Sequence, residues 1–248
     1  FPLAKLLWLR EHEPDIFRDC RRVLFGSKDP VILRLTGRAA CDPTTGATTG
    51  LMNIRARRWA DGWGGPLGLS ADLFPELIPS REAAGVVQPQ AAEETGFPSG
   101  IPVLAGVGDA GASTLGAGVL ANGELYTYLG TTGWVAAYVP EPVESVSGLF
   151  HLAHPADSGF IATAPIFSAG GVHQWAVRTF AKSPDDYADF ERLAAESRRD
   201  RNPVLFLPYL GGERCPVQDP NATGVFLGLT MNTSKADMAA AALEGISM

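Results

Sequence analysis

The residues best suited to chemistry fall in one stretch, Val103 to Val139, which reads VLAGVGDAGASTLGAGVLANGELYTYLGTTGWVAAYV. Asp109 follows an apolar run and precedes a segment of small residues, so it stands where a strand ends and a helix begins. Ligand groups collect at the carboxyl ends of strands in open α/β sheets. A carboxylate there can accept a proton from an attacking hydroxyl. Capping the following helix is an equal claim on the same side chain. Gly106 and Gly108 permit sharp turns and leave room beside the acid. Further on, Gly130-Thr131-Thr132-Gly133 separates two alternating runs and is too small and polar for an ordinary hairpin core. Its backbone N–H groups can form a nest for an anion, although many hairpin turns share this composition. A third candidate is Gly170-Gly171, a helix start without side chains, one turn before Gln174 and Trp175. A ligand could approach the helix terminus there; glycines opening a helix with a surface glutamine are the plainer reading. The segment Gly211 to Pro216, GGERCP, sets a charged pair between glycines, either as a surface loop held by ion pairs or as part of a site. An acid and an anion nest brought together across a hinge are what phosphoryl transfer requires.

The elements that must position these residues read as a mixture of helices and strands, hence an α/β chain. Pro2 suits the first turn of a helix with Leu3, Leu6 and Leu7 on one face. Asp29-Pro30 opens VILRLTG, which Gly37 ends. Residues 41–53, CDPTTGATTGLMN, read as a loop rich in Thr and Gly, either plain or facing substrate. Ser70 is an N-cap for a helix over ADLFPEL, and Gly96 stops a short helix begun at Pro89. Ile101 to Ala105 reads as a short buried strand and Ala112 to Val119 as a tightly packed helix. ELYTYLG and WVAAYV alternate as a hairpin. Gly159 to Ile166 and Val204 to Leu207 are strands, residues 184–200 an amphipathic helix, and Asp237 to Met248 the last helix. Helical patterning gives way to hairpins near residue 121. The expected domains are therefore 1–120 and 121–248.

Composition narrows the function classes. The chain has 248 residues, 46% hydrophobic and 19% charged, with a formal net charge of −7. An acidic chain without a basic stripe lacks the electrostatic footprint of a nucleic-acid binder. The densest basic cluster, Arg55, Arg57 and Arg58, reads as solvated loop. Cys20, Cys41 and Cys215 are odd in number and far apart, which fits a reducing cytosol rather than a disulfide framework. The four histidines lack metal-ligand spacing, including His151 and His154. No apolar run has the length of a membrane span, and no signal peptide is expected. Phe1 is not an initiator methionine, and helical patterning reaches both ends, so the sequence reads as the middle of a longer protein.

Taken together, these segments resemble the FGGY family of carbohydrate kinases over essentially the whole chain. FPLAKLLWLREH, Phe1 to His12, is similar to the family's first signature, with Lys5 and Trp8 in place. GVFLGLTMNTSKADMAAAALE resembles the second, keeping Gly224, Gly228, Leu229, Asp237, Met238, Leu243 and Glu244 in step; Ala240 stands where the family often has Arg. PYLGGERCPVQDPNATG resembles a loop typical of the xylulose and gluconate branches, and TTGLMN at residues 48–53 is similar to a segment of the gluconate branch.

The resemblance implies an actin-like, ribonuclease H-like fold of two domains, with the catalytic acid in residues 1–120 and the ATP side in 121–248. It implies ATP-dependent transfer of the γ-phosphoryl group to a sugar hydroxyl, with xylulose the expected acceptor. Gluconate or another sugar or polyol is the alternative, and a sugar-binding relative without catalysis a distant one. Asp109 matches the family's catalytic base and would also contact the substrate and offer an oxygen to Mg²⁺. Thr131, with Gly130 and Thr132, matches the turn that contacts ATP phosphates; Gly170 and Gln174 match nucleotide contacts of the glycerol-kinase branch. The expected cofactors are ATP and Mg²⁺. The expected partner is a small sugar, with no nucleic acid and no membrane, in a cytoplasmic protein with a homodimer as the candidate assembly. Two family parts have no counterpart in the sequence: a first strand carrying D-x-G-T and a later glycine-rich segment for adenosine.

Overall fold

A computed structural model describes residues 1–62, 67–146, 148–156, 158–198 and 203–248. The chain divides into two compact units, and it passes between them more than once. Unit 1 comprises residues 1–126, 137–142 and 151–162; unit 2 comprises 127–136, 143–150 and 163–248.

Unit 1 begins with helices α1 (Pro2–His12) and α2 (Pro14–Asp19), each with proline in its first turn. There the missing N–H removes no helical bond. Helix α3 (Asp29–Thr36) ends where Gly37 takes a left-handed conformation, φ 72°, as its sequence predicts. Strand β1 (Ala40–Cys41) follows, buried throughout. Residues 41–53 are not simply a loop. Asp42 caps a short helix, α4 (Pro43–Ala47), by accepting from Thr45 N at 3.0 Å. Strands β2 (Met52–Asn53) and β3 (Arg58–Trp59) then pair antiparallel.

The helix expected over ADLFPEL is one 3₁₀ turn, Ala71–Leu73, capped by Ser70. Pro75 forces Phe74 out of the helical region, ψ 141°, and the chain continues as β4 (Glu76–Leu77), parallel to β1. Strand β5 (Ala83–Val86) pairs antiparallel with β6 (Pro102–Leu104), and helix α5 (Pro89–Thr95) between them stops at left-handed Gly96. The Ile101–Ala105 strand is only half buried. Val103 and Ala105 pack with Ile32, Ala40, Ile78 and Ala84, while Leu104 on the other face is 54% exposed. A two-stranded ribbon covered on one side buries alternate residues only. A second core gathers Leu6, Leu51 and Leu69 with Phe25, Trp59 and Phe74.

Helix α6 (Asp109–Gly116) follows β6. Strands β7 (Leu125–Leu129), β8 (Gly133–Val139), β9 (Phe150–Ala153) and β10 (Phe160–Ile166) form one sheet in the order β7-β8-β10-β9. His154 is no ligand in waiting: it is 1% exposed, and its ring contacts Val119 O at 3.0 Å through Nε2. The basic cluster is largely engaged. Arg57 donates to His154 O and to Gly159 O at 2.8 Å, and Arg58 pairs with Asp61.

Unit 2 is built on α7 (Gly170–Phe180), α8 (Tyr187–Ala195), β11 (Leu205–Leu207), β12 (Val225–Leu227) and α9 (Lys235–Ser247). Helix α8 is shorter than the amphipathic pattern over 184–200 because Asp186 caps it, accepting from Asp189 N; residues 199 and 200 lie outside the described residues. Alanines 239–242 let α9 come close to its neighbours, and Phe190, fully buried, fills the core. At Gly245 a Cβ would lie 2.3 Å from Phe206 O. Ser234 and Asp237 cap α9 reciprocally. That cap, with the Ser197 hydroxyl, holds the Asp237 carboxyl far below the usual range. Among the described residues no helix is long and apolar enough to cross a membrane.

Candidate functional site

In unit 1, Asp109 begins α6 directly after Gly108, and its Oδ1 accepts from Ala110 N at 2.8 Å. It stays exposed and lines a pocket of about 320 Å³. The pocket is also lined by Phe25, Ser27, Thr44, Thr45 and Thr48, so it combines hydroxyl-bearing residues and one aromatic ring with a single carboxylate. Such a lining suits a small neutral polyol better than a metal ion. For Mg²⁺ it offers one carboxylate, and the described residues contain no cluster of three His, Cys, Asp or Glu side chains.

The wall beside Asp109 is held by charges that sequence patterning does not expose. Asp29 and Asp42 are both fully buried. Lys28 Nζ lies 2.8 Å from Asp29 Oδ1 and 2.9 Å from Asp42 Oδ2. Asp29 Oδ2 also accepts from Gly26 N at 2.8 Å, which fixes the turn leading to Ser27. Burial opposes the ammonium, but hydrogen bonds to Asp29 and Asp42 and their charges outweigh it and raise the Lys28 pKa. Burial, then the charges of Asp29 and Asp42, push the Cys41 thiol well up, so it is inert. The signal for this triad is Lys28-Asp29 followed by Asp42, three charged residues amid apolar runs.

In unit 2, the turn Gly130-Thr131-Thr132 closes on itself through Gly130 N to Thr132 O at 2.9 Å. Thr131 and Thr132 are exposed. The structure brings this turn to the start of α7: Gly170 N donates to Gly130 O at 2.9 Å and Gly171 N to Thr131 O at 2.8 Å. The expected bare helix start is thus occupied by the turn backbone, not left open for a ligand. A Cβ at position 170 would lie 2.4 Å from Gly130 O, which explains the glycine. Gln174 sits exposed on the next turn of α7. GGERCP is not a surface salt-bridged loop at Glu213. That side chain is 4% exposed and accepts from Phe167 N at 2.9 Å and Arg214 N at 2.8 Å, bracing the segment that enters α7.

The N-terminal domain of the FGGY family of carbohydrate kinases matches residues 1–116, and its C-terminal domain matches residues 125–248. The chain belongs to that family. A xylulose kinase of Escherichia coli (strain K12) is 33% identical over 250 residues, covering 99% of this chain and 50% of that protein. The solved structure of a xyloylose kinase from Brucella ovis superposes with a TM-score of 0.89 at 31% identity, over 100% of this chain and 50% of that one. A gluconate kinase from Lactobacillus acidophilus follows with a TM-score of 0.86 at 30% identity, over 99% and 50%. The fold is that of the FGGY sugar kinases, and the chain spans about half the length of the relatives it matches.

Proposed function

We propose that the protein is an ATP-dependent sugar kinase with D-xylulose as acceptor, acting in the cytoplasm. The observation that carries the reading is Asp109 at the head of α6, facing a hydroxyl-lined pocket in a chain of the FGGY family. In the proposed reaction a sugar hydroxyl oxygen attacks the γ-phosphorus of ATP in line. The new O–P bond forms as the bond to the β–γ bridging oxygen breaks, ADP leaves, and the hydroxyl proton passes to Asp109. Thr131, with the N–H groups of its turn, is assigned to the phosphates. Such transfer depends mainly on positioning and electrostatics, which the braced turns of both units favour.

Gluconate is the second reading, favoured by the likeness to a gluconate kinase. Against it, the described residues that line the pocket around Asp109 include no cation to pair with a gluconate carboxylate. A panel assay of the full-length protein with ATP and xylulose, ribulose, gluconate and glycerol decides between them. Xylulose is expected to give the highest kcat/KM. A preference for gluconate would replace the assignment, and no transfer to any of the four would remove the kinase reading.

A further inference from the structure

Four threonines lie within or just after α4, and three of them use their hydroxyls inside the protein. Thr44 Oγ1 donates to Ala153 O at 2.7 Å, Thr48 Oγ1 to Thr45 O at 2.8 Å and Thr49 Oγ1 to Gly46 O at 2.6 Å. Thr45 is the exception. It is 8% exposed, and its Oγ1 is buried without a hydrogen-bond partner. Leaving a buried hydroxyl unpaired is unfavourable, and native folds rarely do it without a reason. The backbone at Thr45 cannot relax to cure this, because its N–H is tied to Asp42 Oδ1 and Asp42 is paired with Lys28.

The hydroxyl lies beside the acid. Gly108 immediately precedes Asp109, and a Cβ on Gly108 would come within 3.0 Å of Thr45 Oγ1. Position 108 therefore leaves space next to this oxygen, and Thr45 and Asp109 line the same pocket. We infer that Thr45 is a positioning residue for the acceptor: its hydroxyl is reserved for a hydroxyl of the sugar in the Asp109 pocket. The inference rests on the kinase reading and adds a sugar contact supplied by this chain.

Thr45→Val tests it, since valine keeps the shape and removes the oxygen. In the full-length enzyme, the KM for xylulose should rise about three- to ten-fold, the range for one lost hydrogen bond, with the KM for ATP unchanged. Thr45→Ser should restore the wild-type value. Thermal melting separates this from a structural role. Without sugar, Thr45→Val should melt no lower than wild type, because the lost hydroxyl had no partner, and the upward shift produced by xylulose should shrink. A lower melting temperature without sugar would show the hydroxyl to be bonded within the fold and overturn the inference. So would a sugar KM within two-fold of wild type while Asp109→Asn still abolishes turnover; that outcome leaves the kinase reading standing. Absence of transfer by the wild-type enzyme to any sugar in the panel would end both.

Discussion

Replacing Lys28 by methionine removes one cation from between two fully buried carboxylates while keeping the aliphatic stem. Breaking a buried pair by deleting one partner costs about 3–5 kcal/mol, because the remaining charge stays buried. The retained bonds place this case near the lower end. Asp29 Oδ2 keeps Gly26 N at 2.8 Å and Phe25 N at 3.2 Å, and Asp42 Oδ1 keeps Thr45 N at 3.0 Å. Asp42 Oδ2, whose partner is the ammonium at 2.9 Å, bears most of the loss. A loss of about 3 kcal/mol lowers Tm by roughly 6–12 °C in a domain of this size. Thermal unfolding followed by circular dichroism reads this directly, and Lys28→Met combined with Asp42→Asn should recover part of it. The sign with pH is fixed by the raised Lys28 pKa. Its contribution is complete below the unfolded lysine value of about 10.4 and is lost as pH rises through the higher folded value. The gap between wild type and Lys28→Met should therefore be flat across neutral pH and narrow only in strong alkali. A drop under about 2 °C, less than the shift expected for 1 kcal/mol, would refute the view that this triad holds the wall beside Asp109.

Asp109→Asn should lower kcat by about 10²–10⁴ with the melting temperature unchanged, the usual effect of losing a general base; steady-state kinetics with xylulose measure it, and near wild-type turnover removes Asp109 from the reaction. Thr131→Val should raise the KM for ATP more than that for sugar, and equal effects on both would argue against a phosphate contact. Gly170→Ala adds a Cβ 2.4 Å from Gly130 O and should destabilise by about 1–3 kcal/mol, as overpacking does; denaturant titration tests this, and an unchanged midpoint would mean that turn and helix are not locked together.

Local signals were legible where one or two residues decide the backbone. Gly37 and Gly96 ended their helices in the left-handed conformation, and the hairpin flanking Gly130-Thr131-Thr132 fell where alternation predicts. Asp109 was legible as an acid at a helix start, and the glycines of α7 as a close approach. What approaches them was not legible, because the partner is a backbone carbonyl 40 residues earlier, Gly130 O to Gly170. The charged triad escaped for a similar reason: burial of Asp29 and Asp42 depends on packing, and a charged residue in sequence is ordinarily a solvated one. Thr45 differs from Thr44, Thr48 and Thr49 only in what its oxygen lacks, which no pattern of residue types encodes. The ADLFPEL helix failed because Pro75 outweighed the cap at Ser70.

The division of the chain also dictates an order of assembly. Thr44 finds its partner at Ala153, 109 residues later, and Arg57 meets Gly159 at a separation of 102. Leu152, a wall of the Asp109 pocket, belongs to the same returning segment. During synthesis at about 5–20 residues per second, the first unit stays unfinished until residue 162 has left the ribosome, by which time strands of the second unit have already emerged. The nascent halves cannot mature one after the other. A single cut ahead of Leu152 strands the pocket's last wall on the wrong piece, and a single cut after residue 162 carries residues 127–136 and 143–150 away from the second unit.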